Sequence, residues 1–432
     1  MKTFLMAGLL LGCTAGNALC QQSDTVIALA QRTFRDAAAA TKKQQRLWGT
    51  DLYGPMLLVN TATRELYANM PDSSGLLQKQ GDIYTGKLPS RINIANTSLH
   101  WEGRHWAMVQ LPLPAAQDDR INLIAHELFH RSQPALHFQP TDPTNNHLDK
   151  KDGRIYLRLE LAALQQAIAA TSAATRQQHL LHAMTFRRYR YELYPGADTT
   201  ENALELNEGI AEFTGMMICN RDKAAAVKHF DKSLYDFLHY YPTFVRSFAY
   251  QTIPMYGYLL SQVKPGWNRQ LNSQSQLTPL IIKTFGLAVP ADVKTAATSY
   301  AQGYNGEAVA QEETAREKKI QEQIAAYTRL FIHQPHTELR FEKMNISFNP
   351  SNIVPIDGYG TVYPTMRISD AWGILTVTEG ALMSKNWDKV IVGLPDTFAD
   401  QLITGKGWKL ELNKGYRLEK NDAGNYALKK QQ

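Results

Sequence analysis

Residues 126–130 read His-Glu-Leu-Phe-His, and the stretch Ile121-Asn122-Leu123-Ile124-Ala125 before them reads as the start of an amphipathic helix. No other stretch restricts the fold as tightly. On a helix, positions i and i+4 lie one above the other, so both imidazoles can reach one metal ion. Glu127 projects beside them, where its carboxylate can act on water bound to that ion. Asp118 and Asp119 offer an N-cap and favourable first-turn charge. Leu128 and Phe129 give the helix a core-facing character, and a buried Glu beside two His is costly unless something pairs with it.

A catalytic tetrahedral zinc needs a third protein ligand and an open position for water. The segment Leu206-Asn207-Glu208-Gly209-Ile210-Ala211-Glu212-Phe213 carries the candidate, Glu208. HExxH followed by this helical NEGxAE resembles the gluzincin metallopeptidases, most of all their aminopeptidase N-like branch. The resemblance implies an α+β fold, with a twisted sheet ahead of a mainly helical zinc-binding subdomain. It implies Zn²⁺ held by His126, His130 and Glu208, with Glu127 as general base. Glu212, one turn beyond Glu208, resembles the acidic residue that orients the first zinc-binding imidazole and raises its basicity. Glu201 and Glu205 continue the same stripe, and for Glu201 the expected role is a solvated helix face.

Two features depart from that family. His130 and Glu208 lie much farther apart than in the aminopeptidase N-like enzymes, so an insertion over 135–200 must leave and re-enter the site. After Ser132-Gln133-Pro134 the chain reads as loop, then as two helices, Ile155 to about Ala173 and about Ala174 to Tyr191, ended by Pro195-Gly196. Arg187-Arg188-Tyr189-Arg190 on the second is expected to be a solvated face. The family's GxMEN strand corresponds to Arg104–Pro112, which has no Glu after Met108, so its amine-binding role is not carried over. The strand itself is expected to serve as the edge to which an extended substrate adds. The oxyanion donor is expected from Tyr250, Tyr256 and Tyr258, with Tyr256 first and Tyr250 second.

Hydrophobic residues at 44%, charged residues at 20% and a net charge of +6 describe an ordinary globular protein without a nucleic-acid motif. Lys2 and the apolar Phe4–Leu11 read as an export signal too short to span a membrane, which leaves no transmembrane segment. Two endings stay open: cleavage near Ala18–Cys20, or a lipobox at Leu10–Cys13 that would acylate Cys13. The protein is thus expected in the periplasm or outside the cell, with an outer-membrane lipoprotein as the alternative. Cys219, on an apolar helix, reads as a small core residue. The domains expected are a signal at 1–20, a helix and β-rich part at 21–117, the helical catalytic part at 118–334 and an all-β domain at 335–432. That last domain alternates in strand fashion over Leu339–Phe341, Ile346–Phe348, Gly360–Tyr363, Gly373–Val377, Val390–Val392 and Lys409–Leu412. Two functions are consistent with these readings: an exported zinc metallopeptidase acting on peptides or proteins, or an exported binding protein that keeps the scaffold and zinc without turnover.

Overall fold

A computed structural model describes residues 14–90, 92–141, 143–348 and 353–430, with side chains from Val26 onward. It is a mixed α+β protein in which a helical region is followed by an all-β region. The export-signal and Cys13 readings fall on residues largely outside that description. Among the described residues, no helix is long and apolar enough to cross a membrane. The chain divides into two compact units, one of residues 1–147, 156–238 and 245–304, the other of 148–155, 239–244 and 305–432.

The first unit opens with α1 (Thr14–Lys43). A six-stranded sheet comes next, from β1 (Met56–Asn60), β2 (Glu65–Ala68), β3 (Gln78–Gln80), β4 (Ile83–Lys87), β5 (Thr97–Trp101) and β6 (Arg104–Leu111). Their order is β3-β4-β2-β1-β6-β5, with β1 and β6 parallel. Alternation along the strands serves two cores. Met56, Leu58, Val109 and Leu111 pack with Phe34 of α1 and with Ile124 and Leu128 of α2 (Gln117–Ser132). Leu57, Val59, Trp106 and Met108 point the other way into a second cluster. The β5–β6 hairpin turns through Glu102 and Gly103, both at positive φ (43° and 72°), the twist that tight hairpins need.

Two expectations are corrected here. β6 is not an edge: it is paired with β1 on one side and β5 on the other, so its ladder groups are taken. The edge next to it is β5. At the start of α2, the N-cap is Ala116 with no side-chain cap, and Asp118 and Asp119 lie in the first turn, where they supply favourable charge but no cap.

Beyond α2 come α3 (Lys151–Ala169) and α4 (Ala173–Leu193), the two helices expected between His130 and Glu208. They are followed by α5 (Ala197–Leu204), a π-type turn at Glu205–Gly209, and α6 (Ile210–Ile218). Then come α7 (Lys223–Tyr240), α8 (Ala249–Val263), α9 (Leu277–Phe285) and α10 (Val293–Ala301). Of the arginine run, Arg188 faces solvent, but Arg187 and Arg190 do not. Arg187 and Arg190 are fully buried, and so are Glu160 of α3 and Glu201 and Glu205 beyond α4. Arg190 donates to Glu201 through Nε at 2.8 Å and Nη2 at 2.6 Å. Burial works against the Glu201 carboxylate, but Arg190 and His147 pull its pKa down to about 2. Glu201 is therefore a paired interior charge, since an interior charge must be paired to be tolerated.

The second unit is built on α11 (Gly306–Thr328) and a β-sandwich. One sheet has seven strands and the other six. Leu339, Val390 and Val392 from the first pack with Ile368, Leu375, Ile403 and Leu410 from the second around Trp372 and Trp408. α11 belongs to this unit. Tyr327 and the residues just past its end, Leu330, Phe331 and Ile332, lie against Ile356, Val362, Leu382 and Ile391. Buried Arg154 ties the 148–155 segment to α11 by donating to Glu313 at 2.8 Å.

The helices around the first unit's core approach closely where glycine allows it. A Cβ on Gly215 of α6 would lie 2.5 Å from the Asn122 carbonyl oxygen of α2. Gly215→Ala is expected to lower stability by about 1–3 kcal/mol through overpacking, read from denaturant midpoints. A neutral substitution would mean the α2–α6 contact is looser than described.

Candidate metal centre

α2 is buried along the face that carries the motif, leaving His126 5% exposed and Glu127 4% exposed. Glu208 sits on the π-type turn between α5 and α6, where the Ile210 amide reaches back five residues to the Glu205 carbonyl. In a regular helix, Glu201, Glu205, Glu208 and Glu212 would share one face. One extra residue in a turn rotates the downstream residues by about 100°. The stripe is split accordingly: Glu201 and Glu205 face the buried arginines, while Glu208 and Glu212 face the two histidines.

His126, His130 and Glu208 offer ligand atoms all within 4.8 Å of one another. The two Nε2 atoms are 3.0 Å apart. Glu208 Oε2 lies 3.6 Å from His126 Nε2 and 3.3 Å from His130 Nε2. A tetrahedral ion with ligands at about 2.0–2.1 Å separates its ligand atoms by about 3.4 Å, close to this triangle. The far nitrogens are occupied. His126 Nδ1 meets Glu212 Oε2 at 2.9 Å, and His130 Nδ1 meets Gln133 Oε1 at 2.9 Å. Because both partners are acceptors, each ring donates its Nδ1 proton outward and turns an Nε2 lone pair inward. Two lone pairs and a carboxylate aimed at one point suit a cation. This donor set can hold a metal ion.

The supports extend outward. Glu212 Oε1 accepts from Asn122 Nδ2 at 2.7 Å, and Arg221 donates to Asn122 Oδ1 at 3.2 Å and to Asp119 Oδ1 at 2.8 Å. Gln133 also donates through Nε2 to the Asn207 carbonyl at 3.2 Å, which joins the end of α2 to the π-type turn. Gly209 lets that turn lie against α8, since a Cβ there would meet Ile253 Cβ at 2.8 Å. Sequence reasoning missed Gln133 and Asn122. Their signal was spacing, one turn after His130 and one turn before His126.

Glu127 adjoins the triangle. Burial pushes its carboxyl up in pKa, the two imidazoles pull it back, and its Oε2 is buried without a hydrogen-bond partner. Of the tyrosines, the structure brings Tyr250 to the site and not Tyr256. Tyr250 stacks on His126 with ring centroids 5.5 Å apart and planes 9° from parallel, and its hydroxyl donates to Glu208. Burial and the neighbouring Glu208 push its pKa up, so the phenol keeps its proton. Tyr256 is fully buried and donates to Glu160 at 3.0 Å, and this corrects the expected ranking. Six residues along α8 place it on the buried ionic cluster. Tyr258 packs on Phe230. Arg246, 53% exposed, reaches within 3.7 Å of Glu208 Oε1 and was not anticipated. Cys219 is a free thiol that donates to the Asp118 carbonyl, and burial pushes its pKa up to about 12.

No protein-family model matches this chain, and no curated protein or solved structure matches it either.

The carboxylates of the site act on His126. Burial disfavours its charged form, but Glu208 and Glu212 outweigh burial and raise its pKa to about 10. Without an ion, the ring therefore holds a proton at neutral pH that an entering ion must displace. Metal binding at pH 7 should release about one proton, and the apparent affinity should fall about tenfold for each pH unit downward. Calorimetric titration in buffers of different ionisation enthalpy reads this directly. Binding with no proton released would contradict the arrangement.

Proposed function

We propose that this protein is a zinc-dependent peptidase of the gluzincin type, acting on peptide or protein substrates outside the cytoplasm. The observation that carries the reading is the joint placement of the His126, His130 and Glu208 donor atoms beside the unpartnered Glu127 Oε2. A His₂Glu set with one position left open is a catalytic zinc set. The HExxH and NEGxAE motifs argue the same way. Export rests on the N-terminal sequence alone.

His126, His130 and Glu208 would hold a zinc ion, which would supply a Lewis acid and lower the pKa of a water it polarises toward about 7. Glu127 Oε2 takes the proton of the attacking water and passes it to the leaving amine. The Tyr250 hydroxyl would turn from Glu208, once that carboxylate holds the ion, and donate to the carbonyl oxygen as negative charge builds on it. Glu212 and Gln133 hold the imidazoles in the tautomer the ion requires. An extended substrate would align on the open edge of β5, which packs beside α2.

Glu127→Gln is expected to keep its zinc and lose at least about a hundredfold in hydrolysis. Metal analysis and cleavage of a mixed peptide library check both halves, and full activity would remove the mechanism. Tyr250→Phe is expected to lower kcat by about a hundredfold with zinc content intact. Tyr256→Phe should instead lower stability by about 1–2 kcal/mol. The reverse pattern in kcat would return the oxyanion role to Tyr256.

A further inference from the structure

We propose that the buried Arg187–Glu205 pair is a positioning device for Glu208, setting the π-type turn that aims the third donor at the histidines. This rests on the metal-site reading above.

Arg187 reaches from α4 and is fully buried. Its Nη1 and Nη2 donate to Glu205 Oε2 at 3.0 Å and Oε1 at 2.6 Å, a two-pronged contact, and its Nε donates to Glu160 at 2.7 Å. Thr252 of α8 donates to the same Glu205 Oε1 at 2.6 Å. Glu205 is thus pinned from two helices at the first residue of the turn, three residues before Glu208. Two residues before Thr252 on the same helix, Tyr250 holds Glu208 itself. The turn is gripped at both its carboxylates.

Energetics say why this pairing needs an explanation beyond stability. A buried ion pair is often matched or bettered by apolar residues of the same volume, so it is weak evidence of a stability role. What an apolar pair cannot supply is direction. A regular helix through 201–212 would place Glu205 and Glu208 on one face, three residues apart. The fork of Arg187 accepts a carboxylate in one orientation only. It holds Glu205 away from the histidines while the extra residue of the turn swings Glu208 onto them. The charges fit the same scheme. Arg187 and Arg190 face Glu160, Glu201 and Glu205, and His147 meets Glu201 at 2.8 Å.

The double variant Arg187→Met with Glu205→Met removes one charge of each sign and leaves Glu160 paired with Arg190 at 2.8 Å. Zn²⁺ and Co²⁺ are the probes. The metal-free double variant should unfold cooperatively, with a midpoint near that of the natural chain. Its Zn²⁺ dissociation constant should rise ten- to a hundredfold, the usual effect of removing a group that supports a ligand. Its bound Co²⁺ should show an altered visible spectrum, which a purely structural role would not cause. A folded double variant with unchanged Zn²⁺ affinity and an unchanged Co²⁺ spectrum overturns the proposal. Should the double variant fail to fold, Thr252→Val decides. It removes one grip on Glu205 while the ion pair stays, and several-fold weaker Zn²⁺ binding is expected, whereas unchanged binding overturns the proposal. A natural chain that binds no Zn²⁺ overturns the metal site and this link with it, an outcome distinct from a failed variant alone.

Discussion

Two imidazole lone pairs and a carboxylate oxygen, all pointed at one spot inside a protein, repel each other until a positive charge sits among them. His126, His130 and Glu208 are in that position. Neither ring can relieve the conflict by turning, because Glu212 and Gln133 hold the far nitrogens. A proton satisfies the site in part, which is why His126 binds one so tightly. A divalent ion satisfies it fully. The placement of α2, the π-type turn and α8 is understandable as what it takes to bring these three atoms together.

The fold solves this with close helix packing. Gly215 lets α6 settle on α2 near enough for Asn122 to reach Glu212, and Gly209 lets the turn settle on α8 near enough for Tyr250 to reach Glu208. The sheet anchors the other side of α2 through Ile124 and Leu128. The helices α3 and α4 carry a buried ionic cluster that ends on Glu205, and so they take part in the interior behind the metal-binding group.

Much of the site was legible because its geometry is short-range. His126, Glu127 and His130 are fixed by helical spacing alone. Glu208 and Glu212 follow a helical pattern four residues apart, and both face the histidines. What stayed hidden depends on an extra residue in a turn, which no composition or period marks. Reading 201–212 as one regular helix put four carboxylates on one face, so Glu201 looked solvated and the arginines of α4 had no visible partners. Tyr256 outranked Tyr250 for the same kind of reason, since which face of α8 meets the site is a tertiary fact. The mixed fold and the β-rich C-terminal region were readable from alternation. Strands such as Met366–Asp370 and Pro395–Ala399 were missed because one lies between tight turns and the other exposes nearly all its side chains at a sheet edge. β6 was misjudged as an edge because pairing partners distant in sequence leave no local trace.

The most direct measurement is X-ray absorption at the zinc edge on the metal-loaded chain, beside the same chain carrying Glu208→Ala. The expected spectrum shows two imidazoles and oxygen at about 2.0–2.1 Å, with the oxygen shell changed in the variant. Sulfur scattering, a lack of imidazole scattering or an identical variant spectrum would contradict an ion held jointly by His126, His130 and Glu208.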